Sequence, residues 1–105
     1  MPNNVPQYKV IAFERFSGDV QAATRFLTIV SSDAAVALEK KLREVVESLQ
    51  TFPMRFERLQ TKVLSKEHLY RAVIENRYLL IFSITGQTVT LRRFLDARQG
   101  LIHLL

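Results

Sequence analysis

The sequence predicts an α+β fold in the order β-α-α-β-β-β, a helical hairpin packed on one face of a mostly antiparallel four-stranded sheet. Three observations carry this. From Leu69 to Ile84 two runs of β-branched and aromatic residues flank the polar break Glu75-Asn76-Arg77, the pattern of a β-hairpin. Ahead of it lie two stretches, about 20–30 and 34–50, with apolar residues at helical spacing. After it, beyond the turn Thr85-Gly86-Gln87, comes a partly alternating run over 88–95.

The hairpin organises the rest. Its second run is apolar on both parities, Tyr78, Leu80, Phe82 and Ile84 on one and Leu79 and Ile81 on the other. A strand of that kind belongs inside a sheet, covered on both faces. The first run alternates more, with Arg71 and Glu75 opposite Tyr70, Ala72 and Ile74.

The remaining elements follow in chain order. Residues 8–13 read as a short strand limited by Pro6. Phe16-Ser17-Gly18-Asp19 reads as a break, with Ser17 or Asp19 capping the next helix. Val20, Ala23, Phe26, Leu27 and Val30 then fall on one helical stripe. Ser31-Ser32-Asp33 interrupts and offers a fresh cap, after which Ala35, Leu38, Leu42, Val45, Val46 and Leu49 form a second stripe. Its outward side carries the spaced ion pairs Glu39–Arg43 and Lys40–Glu44. Pro53 disfavours a helical Phe52 and ends that helix. Residues 54–66, with Arg55, Arg58, Lys62 and Lys66, form the longest connection, and loops of that length are often functional.

No element remains to cover the second face of the sheet, which is therefore expected to be solvated or to dock a partner. The tail Leu101-Ile102-His103-Leu104-Leu105 has four large apolar side chains in five positions. It is expected to dock on the sheet or on a partner chain, either a second copy in a homodimer or a different protein.

Composition narrows the function classes. A chain of 105 residues builds one modest core, so a single domain over 1–105 is expected. Cysteine is absent from the sequence, which excludes disulfides, thiolate catalysis and zinc–thiolate sites. The two histidines, His68 and His103, lack ligand-like spacing, and no metal or cofactor is expected. The amino terminus has neither the basic nor the apolar region of a secretory signal. No apolar run reaches the roughly 20 residues of a membrane span, so the cytoplasm is the expected location.

Charge is unevenly placed. Residues 1–50 balance six Lys/Arg against six Asp/Glu, whereas 51–105 hold nine against four, the whole formal net charge of +5. A one-sided basic half suits an anionic partner, nucleic acid or an acidic protein segment. The three glycines, at 18, 86 and 100, make no phosphate loop, and neither histidine has an orienting carboxylate nearby in sequence. Glu67, Glu75 and Asp96 read most simply as ion-pair partners of the surrounding arginines. That leaves Arg71, Arg77, Arg92, Arg93 and Arg98, all on the last three strands or their ends, as the candidate binding constellation. Forked guanidinium donors suit phosphate or carboxylate.

The strand order, the segment SLQTFP (48–53), the hairpin LYRAVIENRYLLIFSI (69–84) and the closing LRRFLDARQ (91–99) together resemble the ParE/RelE superfamily of toxins from bacterial type II toxin–antitoxin and plasmid-stabilisation systems. The resemblance spans about residues 8–100. It implies a cognate antitoxin, often acidic, that wraps the toxin. RelE-like members cut messenger RNA on the ribosome with basic residues of the sheet, whereas ParE-like members poison DNA gyrase. Arg71 and Arg98 match the RelE-type positions, but Leu79 stands where those enzymes often have arginine, and Asp96 where many have histidine. A ribonuclease needs positioned cations and a proton acceptor. The resemblance therefore implies a ParE-like inhibitor of DNA gyrase with no catalytic residue, its arginines binding target or antitoxin; the alternative is a RelE-like messenger-RNA endonuclease.

Overall fold

The computed structural model describes residues 7–59 and 68–97. In chain order these form strand β1 (Lys9–Ala12), helices α1 (Glu14–Val30) and α2 (Ser32–Ser48), a single 3₁₀ turn (Pro53–Arg55), and strands β2 (Glu57–Arg58), β3 (His68–Ile74), β4 (Tyr78–Thr85) and β5 (Thr88–Asp96). The sheet runs β1-β5-β4-β3-β2, with β1 parallel to β5 and every other pair antiparallel. The fold class is α+β, in the predicted order.

The sheet has five strands among the described residues, not four. The addition is β2, which pairs Glu57 with Arg71 and Arg58 with Tyr70 inside the stretch expected to be a plain connection. Leu59 N then donates to Leu69 O at 2.7 Å. Two charged residues show no alternation, so this edge had no signature to read.

The first helix also starts earlier than its apolar stripe suggests, at Glu14 instead of Val20. Phe13 N still donates to Leu91 O at 2.9 Å, and the chain turns directly from that sheet bond into the helix. Phe13 is the N-cap and has no side-chain cap bond, so neither Ser17 nor Asp19 caps. Phe16 in the first turn meets Phe94 edge-on at 6.2 Å. Gly18 costs an interior turn about 1 kcal/mol relative to alanine, and that anchoring outweighs it. At the second helix the expected cap is present: the Ser31 hydroxyl accepts from Ala34 N at 3.2 Å.

Both tight turns fall where predicted. Glu75 and Asn76 each take φ of 55°, and Arg77 N donates to Ile74 O at 3.2 Å, the sign pattern of a type I′ hairpin turn. Gly86 takes φ of 60° between β4 and β5, where a side chain would be strained.

Phe16, Leu27, Ala35, Leu38, Leu42 and Leu49 form one apolar cluster with alternate residues of β3, β4 and β5, among them Ile74, Leu80, Phe82 and Val89 at 0% exposure. The rings of Tyr70 and Phe82 stack at 5.5 Å and those of Tyr78 and Phe94 at 5.0 Å. Each large side chain sealed here contributes about 1.5–3 kcal/mol.

The other face departs from expectation. Leu69, Leu79, Ile81 and Leu95 form a second buried cluster, with Leu59 packed against it, and Ser83 beside them is also buried. The middle of β4 is thus closed on both sides, as its unbroken apolar run requires. The basic stretch 60–67, the tail 98–105 and candidate residue Arg98 lie outside the described residues.

Candidate protein-docking surface

β1 is four residues long and pairs only with Thr88–Leu91. Beyond it no described strand pairs with that edge of β5 over 92–96, and α1 runs alongside instead. Between them lies a groove of about 410 Å³, lined on one side by Ala22 and Phe26 and on the other by Arg77, Tyr78, Leu95 and Asp96.

Two carboxylates order this groove. Asp19 accepts from Arg93 Nε at 2.7 Å and from a second guanidinium nitrogen at 3.2 Å. Its Oδ2 also accepts the edge amide of Phe94 at 3.0 Å, replacing the strand bond that β1 is too short to make. Asp96 accepts from Arg77 Nε at 3.3 Å. The Arg77 guanidinium lies 5.7 Å from the Phe26 ring and 5.2 Å from the Tyr78 ring, within cation–π range.

The predicted arginine constellation is therefore divided. Arg77 and Arg93 come together at the groove. Arg92 is the extra residue of a β-bulge, since Ile81 faces Arg93 while Phe82 faces Leu91, and its guanidinium lies 5.0 Å from the Phe13 ring. Arg71 is at the far side of the sheet, joined to Glu57 at 2.9 Å in an exposed pair. His68, on the same strand, is exposed and has Nδ1 hydrogen-bonded to Arg58. Among the described residues no cluster of His, Asp and Glu has metal-binding geometry.

Residues that the sequence reading assigned to the core complete the surface. Phe26 and Val30, placed on the buried stripe by their spacing, are 53% and 67% exposed, and Ile29 beside them is 82% exposed. Phe26 precedes buried Leu27 by one position, a rotation of about 100°, which carries it from the centre of the buried face to its flank. The doublets Phe26-Leu27 and Ile29-Val30 were the available signal: more apolar residues than one stripe accommodates. Ala22, Phe26 and Ile29 form a second stripe on the flank of α1 that borders the groove.

Comparison with known proteins decides the family. The family described as "ParE toxin of type II toxin-antitoxin system, parDE" matches residues 11–101. The chain belongs to the ParE toxin family. It is a ParE-type toxin of a type II toxin–antitoxin system, as its sequence resemblance implied. Two solved structures share the fold. One is the chromosomal ParDE toxin–antitoxin system from P. aeruginosa, 13% identical with a TM-score of 0.67, the match covering 86% of this chain and 96% of that one. The other is the archaeal RelE–RelB complex from Pyrococcus horikoshii OT3, 15% identical with a TM-score of 0.59, covering 90% and 99%. No curated protein matches the chain by sequence. No helix among the described residues is long and apolar enough to cross a membrane.

Proposed function

We propose that this ParE-type toxin acts by protein–protein contact, with DNA gyrase as its target, and is held silent by a cognate acidic antitoxin. One observation carries the reading: the groove arginines Arg77 and Arg93 are in ion pairs with Asp96 and Asp19 beside the exposed apolar row Phe26, Ile29 and Val30. Aliphatic and aromatic surface rimmed by fixed charges suits a protein partner. A phosphodiester would need cations with open donors and a base close by.

The antitoxin is proposed to run along the groove, its apolar side chains on the α1 flank and its carboxylates toward the basic half. Plasmid stabilisation and a cytoplasmic location belong to the same reading. The RelE-like alternative is disfavoured by the two positions where messenger-RNA-cutting relatives often carry arginine and histidine. Leu79 is packed in the outer cluster, and Asp96 is bound to Arg77.

The deciding experiment assays purified toxin side by side for gyrase inhibition and for ribosome-dependent cleavage of messenger RNA. Gyrase inhibition relieved by the antitoxin, without cleavage, is the expected result. Cleavage by the unmodified chain, abolished by Arg71→Ala, would reverse the assignment.

A further inference from the structure

Where α2 ends, the chain builds a second concavity that shares no lining residue with the groove beside α1. Tyr8 N donates to Gln50 O at 2.8 Å, which ties the start of β1 to the end of α2. The 3₁₀ turn follows, with Pro53 buried and its neighbours Phe52 and Met54 left 58% and 59% exposed. Tyr8, Phe52, Pro53 and Met54 line a cavity of about 810 Å³, with Ser48 and Arg55 at its polar side. Clefts of about 300–1,000 Å³ with mostly apolar walls and a few placed polar groups are typical binding sites.

Arg55 is the placed polar group. Its Nη1 donates to Phe52 O at 2.9 Å and to Ser48 O at 3.4 Å, and its Nη2 to Ser48 Oγ at 2.6 Å. The guanidinium also lies 4.3 Å from the Phe56 ring. These acceptors are neutral, and they sit at the carboxy-terminal end of a helix, which favours a cation. Among the described residues no carboxylate pairs with Arg55, and its Nε and one Nη2 hydrogen have no acceptor. Those two donors form the side-on fork that matches a carboxylate.

We propose that this cavity docks an acidic peptide segment of a protein partner. One large apolar side chain enters between Phe52 and Met54, and a neighbouring Asp or Glu carboxylate accepts from Nε and Nη2 of Arg55. A fixed cation without a counter-charge, at the edge of an apolar cavity, sets the sign of the occupant by electrostatic complementarity. Tyr, Phe, Met and Arg are the residue types enriched at protein interfaces, and the thioether of Met54 adapts to side chains of different shape. Because Arg55 is already held by Ser48 and Phe52, little side-chain freedom is lost on binding. Nucleic acid fits less well, since its backbone is bound by several cations together and this cavity offers one. The inference depends neither on the toxin's target nor on the groove, and its test reads binding alone.

The test titrates the ¹⁵N-labelled full chain with the blocked peptide acetyl-Glu-Leu-Phe-Glu-amide and follows its amide resonances. Saturable shifts centred on Tyr8 and residues 51–56, at millimolar concentration or below, are the expected result. The same peptide with glutamine in place of both glutamates is expected to bind about threefold more weakly or worse. Arg55→Gln, which keeps a donor for Ser48, is expected to bind both peptides alike. The pair Phe52→Ser and Met54→Ser, at exposed positions, is expected to lose about tenfold or more. Circular dichroism checks the fold of each variant, and if Arg55→Gln unfolds, the two peptides on the unmodified chain decide. Absence of saturable shifts at 51–56 overturns the proposal, as does equal affinity for the acidic and neutral peptides. Shifts confined to the surroundings of Arg77 and Arg93 overturn it in favour of the groove. Tighter binding of acetyl-Gln-Leu-Phe as the free acid overturns it in favour of a chain terminus. Tighter binding of a thymidine tetranucleotide at the same amides overturns it in favour of nucleic acid.

Discussion

Asp19 and Arg93, separated by 74 positions in the chain, meet through two hydrogen bonds of 2.7 and 3.2 Å, and the same carboxylate takes the amide of Phe94 at 3.0 Å. One side chain thereby fastens α1 to β5 where β1 has ended. The two side chains are only 17% and 13% exposed, so this pair differs in kind from the solvated Arg71–Glu57 pair, at 35% and 65%. Removing one partner of a shielded pair leaves the other charge poorly solvated. Asp19→Ala is expected to cost about 2–4 kcal/mol, against less than about 1 kcal/mol for Glu57→Ala. Asp19→Asn, which keeps an acceptor for Phe94 N, falls between the two. Urea unfolding of the three variants checks the order, and equal losses for Asp19→Ala and Glu57→Ala would contradict it.

Burial ranks the core substitutions. Leu42 on α2 and Leu80 on β4 both belong to the inner cluster, at 8% and 0% exposure. Each change to alanine is expected to cost about 2–5 kcal/mol, with Leu80 toward the upper end because its surroundings are fixed sheet. Val73, 57% exposed on β3, serves as the control, and Val73→Ala is expected within about 0.5 kcal/mol of wild type. A loss below about 1 kcal/mol for Leu42→Ala would show that α2 does not pack as described.

The β3–β4 turn stores a correctable strain. Glu75 has φ of 55°, a region that costs a residue with a Cβ about 1–2 kcal/mol. Glu75→Gly relieves this and gives back part of the gain through chain entropy. The expected net is a stabilisation of about 0.5 kcal/mol, seen as a higher melting temperature. A lower melting temperature would mean that the Glu75 side chain contributes more than its backbone costs.

Antitoxin affinity reports on the proposed docking surface. Phe26→Asp and Ile29→Asp place charge on the exposed apolar row, with small expected effects on stability and a loss of roughly 10–100-fold in antitoxin binding. Arg77→Ala is expected to weaken binding in a graded way, by about 1–3 kcal/mol, and to flatten its salt dependence. Calorimetric titration at two ionic strengths separates these effects. Unchanged affinity in both aspartate variants would remove the groove from the antitoxin's path.

Restoring the residues often seen in RelE-like enzymes is expected to fail. Leu79→Arg inserts a guanidinium into the buried outer cluster, and Asp96→His takes away the partner of Arg77. The double variant is expected to lose several kcal/mol of stability and to show no ribosome-dependent cleavage. Cleavage by a folded double variant would show that the rest of a nuclease site survives.

What the sequence determined by itself was set by local pattern. The both-parity run of β4, the Ser31 cap and the turns at Glu75-Asn76 and Gly86 were legible because each follows from side-chain spacing or from the backbone freedom of one or two residues. The family resemblance was legible for the same reason, as an ordered series of such segments. Other features depend on residues distant in the chain. Asp19 is a plausible helix cap until β5 brings Arg93 and an unpaired amide beside it. Phe26 and Val30 fit a buried stripe until the sheet fixes which flank of α1 faces inward. β2 exists because β3 offers an edge to two charged residues that have no strand signature of their own. Arg71, Arg77, Arg92 and Arg93 look like one basic constellation in sequence, but alternation along the strands, the bulge at Arg92 and the positions of Glu57, Asp19 and Asp96 leave Arg77 and Arg93 at one groove and set Arg71 and Arg92 apart. An ion pair or an edge hydrogen bond is made between elements, and its partner is fixed only when the elements pack.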